Sequence, residues 1–234
     1  MRFLGTQDCS VHWPDALLYW LPKITETAMT VALPQAVLDA ADVSAITQLI
    51  LTERESRDLG RWDDMHRCFL PESQVRISWF SGNGHDFVEG SRDMARRQVL
   101  AKHRLGPVRV RLCGDRAVAS LVGIIDIPTR VRGVEALLSS QARFLYPAER
   151  RDGRWGLMGF YGIYMCDSLA AVIPGQPIDI APAEVADFRP SYRMLSWVLS
   201  SQGYVVNHEL PGEDRPETSE ALFAQLFDWA GIRR

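Results

Sequence analysis

The stretch "LAKHRLGP" places His103 where a helix-like segment gives way to a strand-like one. An imidazole titrates near neutral pH and can take up or return a proton there. No second histidine stands at ligand spacing, no cysteine pair lies close by, and no serine elbow follows, so the histidine needs another kind of partner. Asp126, in "GIIDIPTR", is an acid inside an otherwise apolar strand. Buried, its carboxyl would be raised and could donate a proton to a leaving hydroxyl; on a bent strand it would simply face water. Tyr161 and Tyr164 stand at opposite parity on the last strand, so alternation points at most one inward, either to polarise a substrate carbonyl or as core. Trp62, Trp79, Phe80 and Phe144 are candidates to shape a pocket, with plain core as the alternative.

Other chemistries find no support in the spacing. Asp63, Asp64 and His66 read as a capped, solvated helix start, and His12, His66 and His85 read as surface residues. The cysteines Cys9, Cys68, Cys113 and Cys166 are scattered without zinc spacing and read as free thiols in a reducing compartment, with the cytoplasm as the default. No glycine-rich phosphate cradle is present, so neither a metal nor a cofactor is expected.

At 234 residues, 47% hydrophobic and 24% charged, the chain can bury a core of ordinary size. A formal net charge of −3 argues against nucleic acid or an anionic membrane as the main partner. No apolar run has the length of a membrane span, and the first residues, with His12, Pro14 and Asp15 breaking the apolar stretch, make a poor signal peptide. They read as a loosely ordered arm or as non-native sequence ahead of Met29.

The elements that must position these residues follow from periodicity. Asp42 is a candidate N-cap for a first helix in which Val43, Ile46, Leu49 and Ile50 recur at helical spacing, with Gly60 as the stop. "WDDMHRCFL" predicts a short helix and "QVRISWF" a half-buried strand. "SGNGHD" reads as loop, and "GSRDMARRQVLAKH" as a helix capped by Ser91. The strands "VRVRL", "AVASLVGIIDI", "SSQARFLYPAERR" and "RWGLMGFYGIYM" follow, with hairpin turns at "CGDR" and "RDG". The order predicts an α+β fold, a curved antiparallel sheet with helices across one face and a conical interior suited to a small molecule. Residues 1–41 form an arm, 42–175 the cone, and 176–234 an extension with two short helices.

"ITQLILTERESRDLGRWDDMHRCFLPE", "AKHRLGPVRVRLCGDRAVAS" and "ERRDGRW" resemble, in order and spacing, the SnoaL-like branch of the nuclear transport factor 2-like superfamily, over about Asp42 to Pro174. The resemblance implies a cone-shaped barrel with an apolar cavity, used by dehydratases, cyclases, isomerases, a dehydrochlorinase and non-catalytic subunits. In the scytalone dehydratase and dehydrochlorinase members, an Asp late in the first helix and a His before a strand form a catalytic pair. By motif position these fall on Asp58 and His103. Without the resemblance, Asp58 would read as a helix-terminal carboxylate and His103 as a junction residue bonded to backbone. Asp58 follows Leu51 by seven positions, which puts it in line with that residue at the edge of the buried helix face. Glu53 stands where relatives carry polar pocket residues. Some members also place a basic residue on the last strand; "GLMGFYG" has none, which weighs against an anionic substrate.

The resemblance implies a cofactor-independent lyase, a dehydratase first, that acts on a hydrophobic small molecule. The alternatives are a cyclase or isomerase of secondary metabolism and a non-catalytic ligand-binding or scaffold subunit. A homodimer or homotrimer is expected in either case, without nucleic acid or membrane partners.

Overall fold

The computed structural model of the protein describes residues 33–233. Residues 1–32 of the expected N-terminal arm, including His12 and Cys9, lie outside the described residues, and the rest of that arm leads into the first helix.

Helix α1 (Gln35–Leu59) begins seven residues before Asp42, which lies inside it and bonds Arg150 and Trp155 on the far hairpin. Its buried stripe is Ile46, Ile50, Glu53, Arg54 and Arg57, apolar at one end and ionic at the other on the same helical face. Leu51, in line with Asp58 at the edge of that face, is 37% exposed. Gly60 ends the helix at φ +72°, a left-handed conformation that glycine adopts without steric cost. Helix α2 (Trp62–Cys68) leads into strand β1 (Phe69–Ile77) and the short β2 (Phe80–Asn83).

Helix α3 (Gly84–Arg96) begins inside the expected loop because Asn83 Oδ1 accepts the His85 N–H at 2.8 Å and caps it. Ser91, expected as that cap, is a buried residue in mid-helix. Then come β3 (Lys102–Leu105), β4 (Arg109–Cys113), β5 (Arg116–Val131), β6 (Val134–Arg151) and β7 (Arg154–Ala171). "AKH" is therefore the entry to a strand and not the end of a helix. Arg132-Gly133 and Asp152-Gly153 both take positive φ at both positions, the turn whose twist suits a tight hairpin.

The sheet runs β2-β1-β7-β6-β5-β3, with β4 also on β5. All pairings are antiparallel except β1 with β7, which is parallel. Register shifts between β6 and β7 mark irregularities of the kind that bend long strands. The result is a curved, unclosed α+β sheet with helices on its concave side.

After β7 the chain passes through α4 (Pro182–Val185) to α5 (Arg193–Ser201) and α6 (Pro216–Ala230), which lie on opposite faces of the sheet. Leu195, Val198 and Leu199 of α5 join the main core. Leu222, Leu226 and Phe227 of α6 cover Val118, Leu145 and Ile163 on the outer face. Leu195 N–H donates to Asp167 at 2.7 Å, and Arg189 holds Asp214 and the carbonyls of His208 and Leu210, tying this segment to the sheet and to itself. No described helix is long and apolar enough to cross a membrane.

Candidate active site

Asp58 sits on the last turn of α1 and His103 on the edge strand β3. The carboxylate grips the histidine twice: Oδ1 lies 2.6 Å from ring Nδ1, and Oδ2 accepts the backbone N–H at 2.7 Å. Fixing both ring and backbone leaves the imidazole little freedom to turn. Its other nitrogen, Nε2, lies 3.4 Å from Arg54 Nη1. A guanidinium can only donate and a carboxylate can only accept, so the arrangement selects the tautomer with the proton on Nδ1 and a lone pair on Nε2.

His103 stands in the wall of a cavity that it lines together with Trp79, Phe87, Phe144, Phe160, Tyr164 and aliphatic groups. The His103 ring stands edge-on to Phe144 at 6.2 Å between centroids. Gly123 makes room for Phe144: a Cβ there would come within 2.5 Å of its ring. Leu195 and Leu199 of α5 complete the lining, so the chain beyond the cone contributes directly to the cavity.

Burial, and then the Arg54 and Arg57 charges, push the imidazole down to about 4, against the pull of Asp58 in the other direction. For Asp58, burial raises the carboxyl, but the hydrogen bonds and charge of His103 outweigh it and hold it below its ordinary value. The resting pair is thus carboxylate and neutral imidazole at neutral pH.

Two arginines also reach this cavity, and neither was anticipated. Arg54 is fully buried, bonds both oxygens of Glu53, and stacks over Phe160 with its Cζ 4.7 Å from the ring centroid. Burial works against its charge, but Glu53 more than compensates and raises it. Tyr146 Oη donates to Glu53 at 3.4 Å. Arg57, 9% exposed, has Met94 Sδ at 3.5 Å as its hydrogen-bond partner. The signal for both was present in the sequence: they continue the helical stripe begun by Ile46 and Ile50.

The other expected residues divide. Trp79 and Phe144 line the cavity, and of the two tyrosines it is Tyr164 that points inward. Its Oη accepts the Ser78 N–H at 2.8 Å, and burial pushes the phenol up to about 12. Tyr161 borders a groove with Arg76 and Gln225 away from His103. Phe80 packs on Trp79 and Phe87 behind the cavity, and Trp62 lines a separate cleft beside Asp58. Glu53 is the partner of Arg54 and does not line the cavity.

Asp126 departs furthest from expectation. Ile125 and Ile127 take the inward positions, leaving Asp126 on the opposite face, where Arg104 binds both its oxygens at 2.6 and 2.9 Å and Ser139 donates to it. The Arg104 hydrogen bond lowers its carboxyl instead of burial raising it. It is not a proton donor to the cavity. Asp63 and Asp64 open α2, Asp64 pairs with Arg67, and His66 stacks on His85 at 3.7 Å between centroids.

Comparison with known proteins places this geometry in context. The family model of the SnoaL-like domain matches residues 39–158. Pea pathogenicity protein 2 of Fusarium vanettenii is 24% identical over 163 residues, 68% of this chain and 70% of that protein. Among solved structures, a candidate scytalone dehydratase from Novosphingobium aromaticivorans shares 13% identity at a TM-score of 0.49, over 62% of this chain and 99% of its own. A type 2 hexachlorocyclohexane dehydrochlorinase shares 19% identity at a TM-score of 0.48, over 62% and 99%. On the family match, which spans half of its length, this chain belongs to the SnoaL-like domain family of the nuclear transport factor 2-like superfamily.

Proposed function

We propose that the protein is a cofactor-independent lyase of the dehydratase kind, acting on a small, largely apolar carbonyl compound. The observation that carries this reading is His103 in the wall of a mainly apolar cavity with its Nδ1 held by Asp58, which leaves Nε2 as the ring nitrogen that can accept a proton. Nε2 takes the proton from the carbon next to the carbonyl. The electron pair left behind forms the double bond as the β-hydroxyl departs. The imidazolium, stabilised by Asp58, is the nearest acid able to return the proton, so that water leaves and neutral imidazole is restored. Tyr164, whose Oη takes its hydrogen bond from Ser78, keeps its own proton to donate to the carbonyl oxygen.

A cyclase or isomerase would share the first proton transfer. The scattered thiols of Cys68, Cys113 and Cys166 suit a reducing, cytoplasmic setting. The test is a panel of β-hydroxy carbonyl compounds in D₂O, read by NMR for loss of water and for exchange of the α-proton. His103→Gln should lower either rate by about 10²–10⁴. A panel with neither elimination nor exchange, or a variant that keeps the wild-type rate, would overturn the proposal.

A further inference from the structure

Among the described residues three arginines are buried: Arg54, Arg57 and Arg189. Two of them are neutralised in place, Arg54 by both oxygens of Glu53 and Arg189 by both oxygens of Asp214. Arg57 has no carboxylate within 4.0 Å among these residues. The nearest candidate by sequence, Asp58, spends both oxygens on His103. What Arg57 does have is a thioether, Met94 Sδ, at 3.5 Å from Nη2. A thioether is a weak acceptor that cannot balance a charge. Leaving a buried guanidinium without a counter-charge is costly, and such residues persist where something else uses them.

The position of the guanidinium indicates what that is. Arg57 borders both the His103 cavity and the cleft on the other side of Asp58, but Met94, on which its Nη2 rests, lines the first and not the second. The guanidinium therefore reaches the wall of the cavity, whose other walls are mainly aromatic and aliphatic.

We infer that Arg57 is the anion-recognition group of this cavity, and that the substrate is a small organic acid whose carboxylate it binds while His103 works on the adjoining carbon skeleton. A single planar fork of donors matches one carboxylate, and the apolar remainder of the cavity takes an apolar body. The expectation drawn from the last strand, which lacks a basic residue, is thereby reversed: the cation comes from the first helix. The inference rests on the proton-abstraction reading only for the role of His103; anion binding stands apart from it.

The same arrangement would tune the base. Burial and the positive charges of Arg54 and Arg57 hold the imidazole low, with Asp58 pulling the other way. An anion seated on Arg57 cancels one of those charges, so substrate binding itself raises the basicity of Nε2.

The experiment uses the full chain, labelled in histidine, titrated by NMR with butanoate and with its neutral counterpart butanamide. Wild type is expected to bind butanoate at least about tenfold more tightly than butanamide, a charge-assisted preference. Saturation with butanoate should also move the His103 titration midpoint upward by about one pH unit. Arg57→Met should abolish the preference and raise the midpoint without ligand. Should that variant fail to fold, Arg57→Lys keeps the charge and should keep a preference that fades with salt. Equal affinity for the two probes, no binding of either, or a preference that survives Arg57→Met would overturn the inference. Elimination on neutral compounds without any butanoate preference would sink this inference and leave the lyase standing. Carboxylate preference with no turnover in the panel would do the reverse.

Discussion

Asp58→Asn is nearly isosteric, yet it should disable the site through hydrogen-bond arithmetic. The carboxylate accepts from both the His103 ring Nδ1–H at 2.6 Å and the backbone N–H at 2.7 Å. An amide offers one oxygen, so its NH₂ must face one of these donors. With the oxygen on the immovable backbone N–H, the NH₂ meets Nδ1, which then has to accept. The ring proton moves to Nε2, where Arg54 Nη1 already stands 3.4 Å away as a donor. The cavity loses its lone pair. Losing a charged, largely buried acceptor, 16% exposed at its side chain, should cost about 2 kcal/mol of stability. The imidazole midpoint, about 4 with the carboxylate present, should fall further because the one group raising it is gone. Activity should drop by about 10²–10⁴. Nitrogen-15 correlation spectra distinguish protonated from bare ring nitrogens and follow the midpoint in the same sample. A variant in which Nε2 stays bare and the midpoint stays where it was would refute the reasoning, whatever its activity.

Two further outcomes follow from the buried charges. Glu53→Gln leaves Arg54 fully buried without its counter-charge and should cost about 3–5 kcal/mol in urea unfolding, partly recovered in Glu53→Gln/Arg54→Gln; a loss below about 1 kcal/mol would show the pair to be dispensable. His103 folds with its imidazole lowered from 6.5 to about 4, so the unfolded chain binds the proton more readily; stability held above 6.5 should be lost as pH falls toward 4, by about 3 kcal/mol. Unfolding midpoints measured from pH 7.5 to 4 should show His103→Gln losing correspondingly less than wild type, and identical profiles would mean the imidazole does not control the acid limb.

Periodicity carried the strands and failed where a single residue decides a boundary. The long hairpin β6–β7 follows from alternating sequence around Asp152-Gly153, whereas the Arg132-Gly133 turn puts an arginine where Asp or Asn is the usual signal and gave none. Asp126 was readable in principle: in "IIDI" the two flanking isoleucines claim one face, and alternation sends the acid to the other. The same argument separates Tyr164, Gly162 and Phe160, which face inward, from Tyr161. On α1 the apolar periodicity names the stripe through Ile46 and Ile50 but stops where the residues on that face turn charged, and that change of residue type hid Arg54 and Arg57. The pairing of Asp58 with His103 spans 45 residues and has no local signature; only the resemblance brought the two together. The return of α5 over the cavity is equally non-local, since its anchors, Asp167 to Leu195 N–H and Arg189 to Asp214, join residues that nothing in the sequence marks as neighbours.

The ionic end of the α1 stripe explains why the histidine stays neutral. A base must arrive without a proton, but Asp58 alone would favour the protonated ring. Burial opposes that, and Arg54, 3.4 Å from Nε2, adds a positive charge at the nitrogen that would have to accept. Arg54 can occupy that place only because Glu53 and the Phe160 face compensate its own burial. Glu53 therefore bears on the chemistry without touching the cavity: it holds the cation that keeps Nε2 bare. Asp58 then orients a ring whose charge state is set mostly by others, and it contributes most at the moment the proton lands, when the imidazolium needs a carboxylate beside it. On this division of labour, removing Asp58 and removing Glu53 are different injuries. The first changes which nitrogen can react; the second removes the support of the positive charge poised over it.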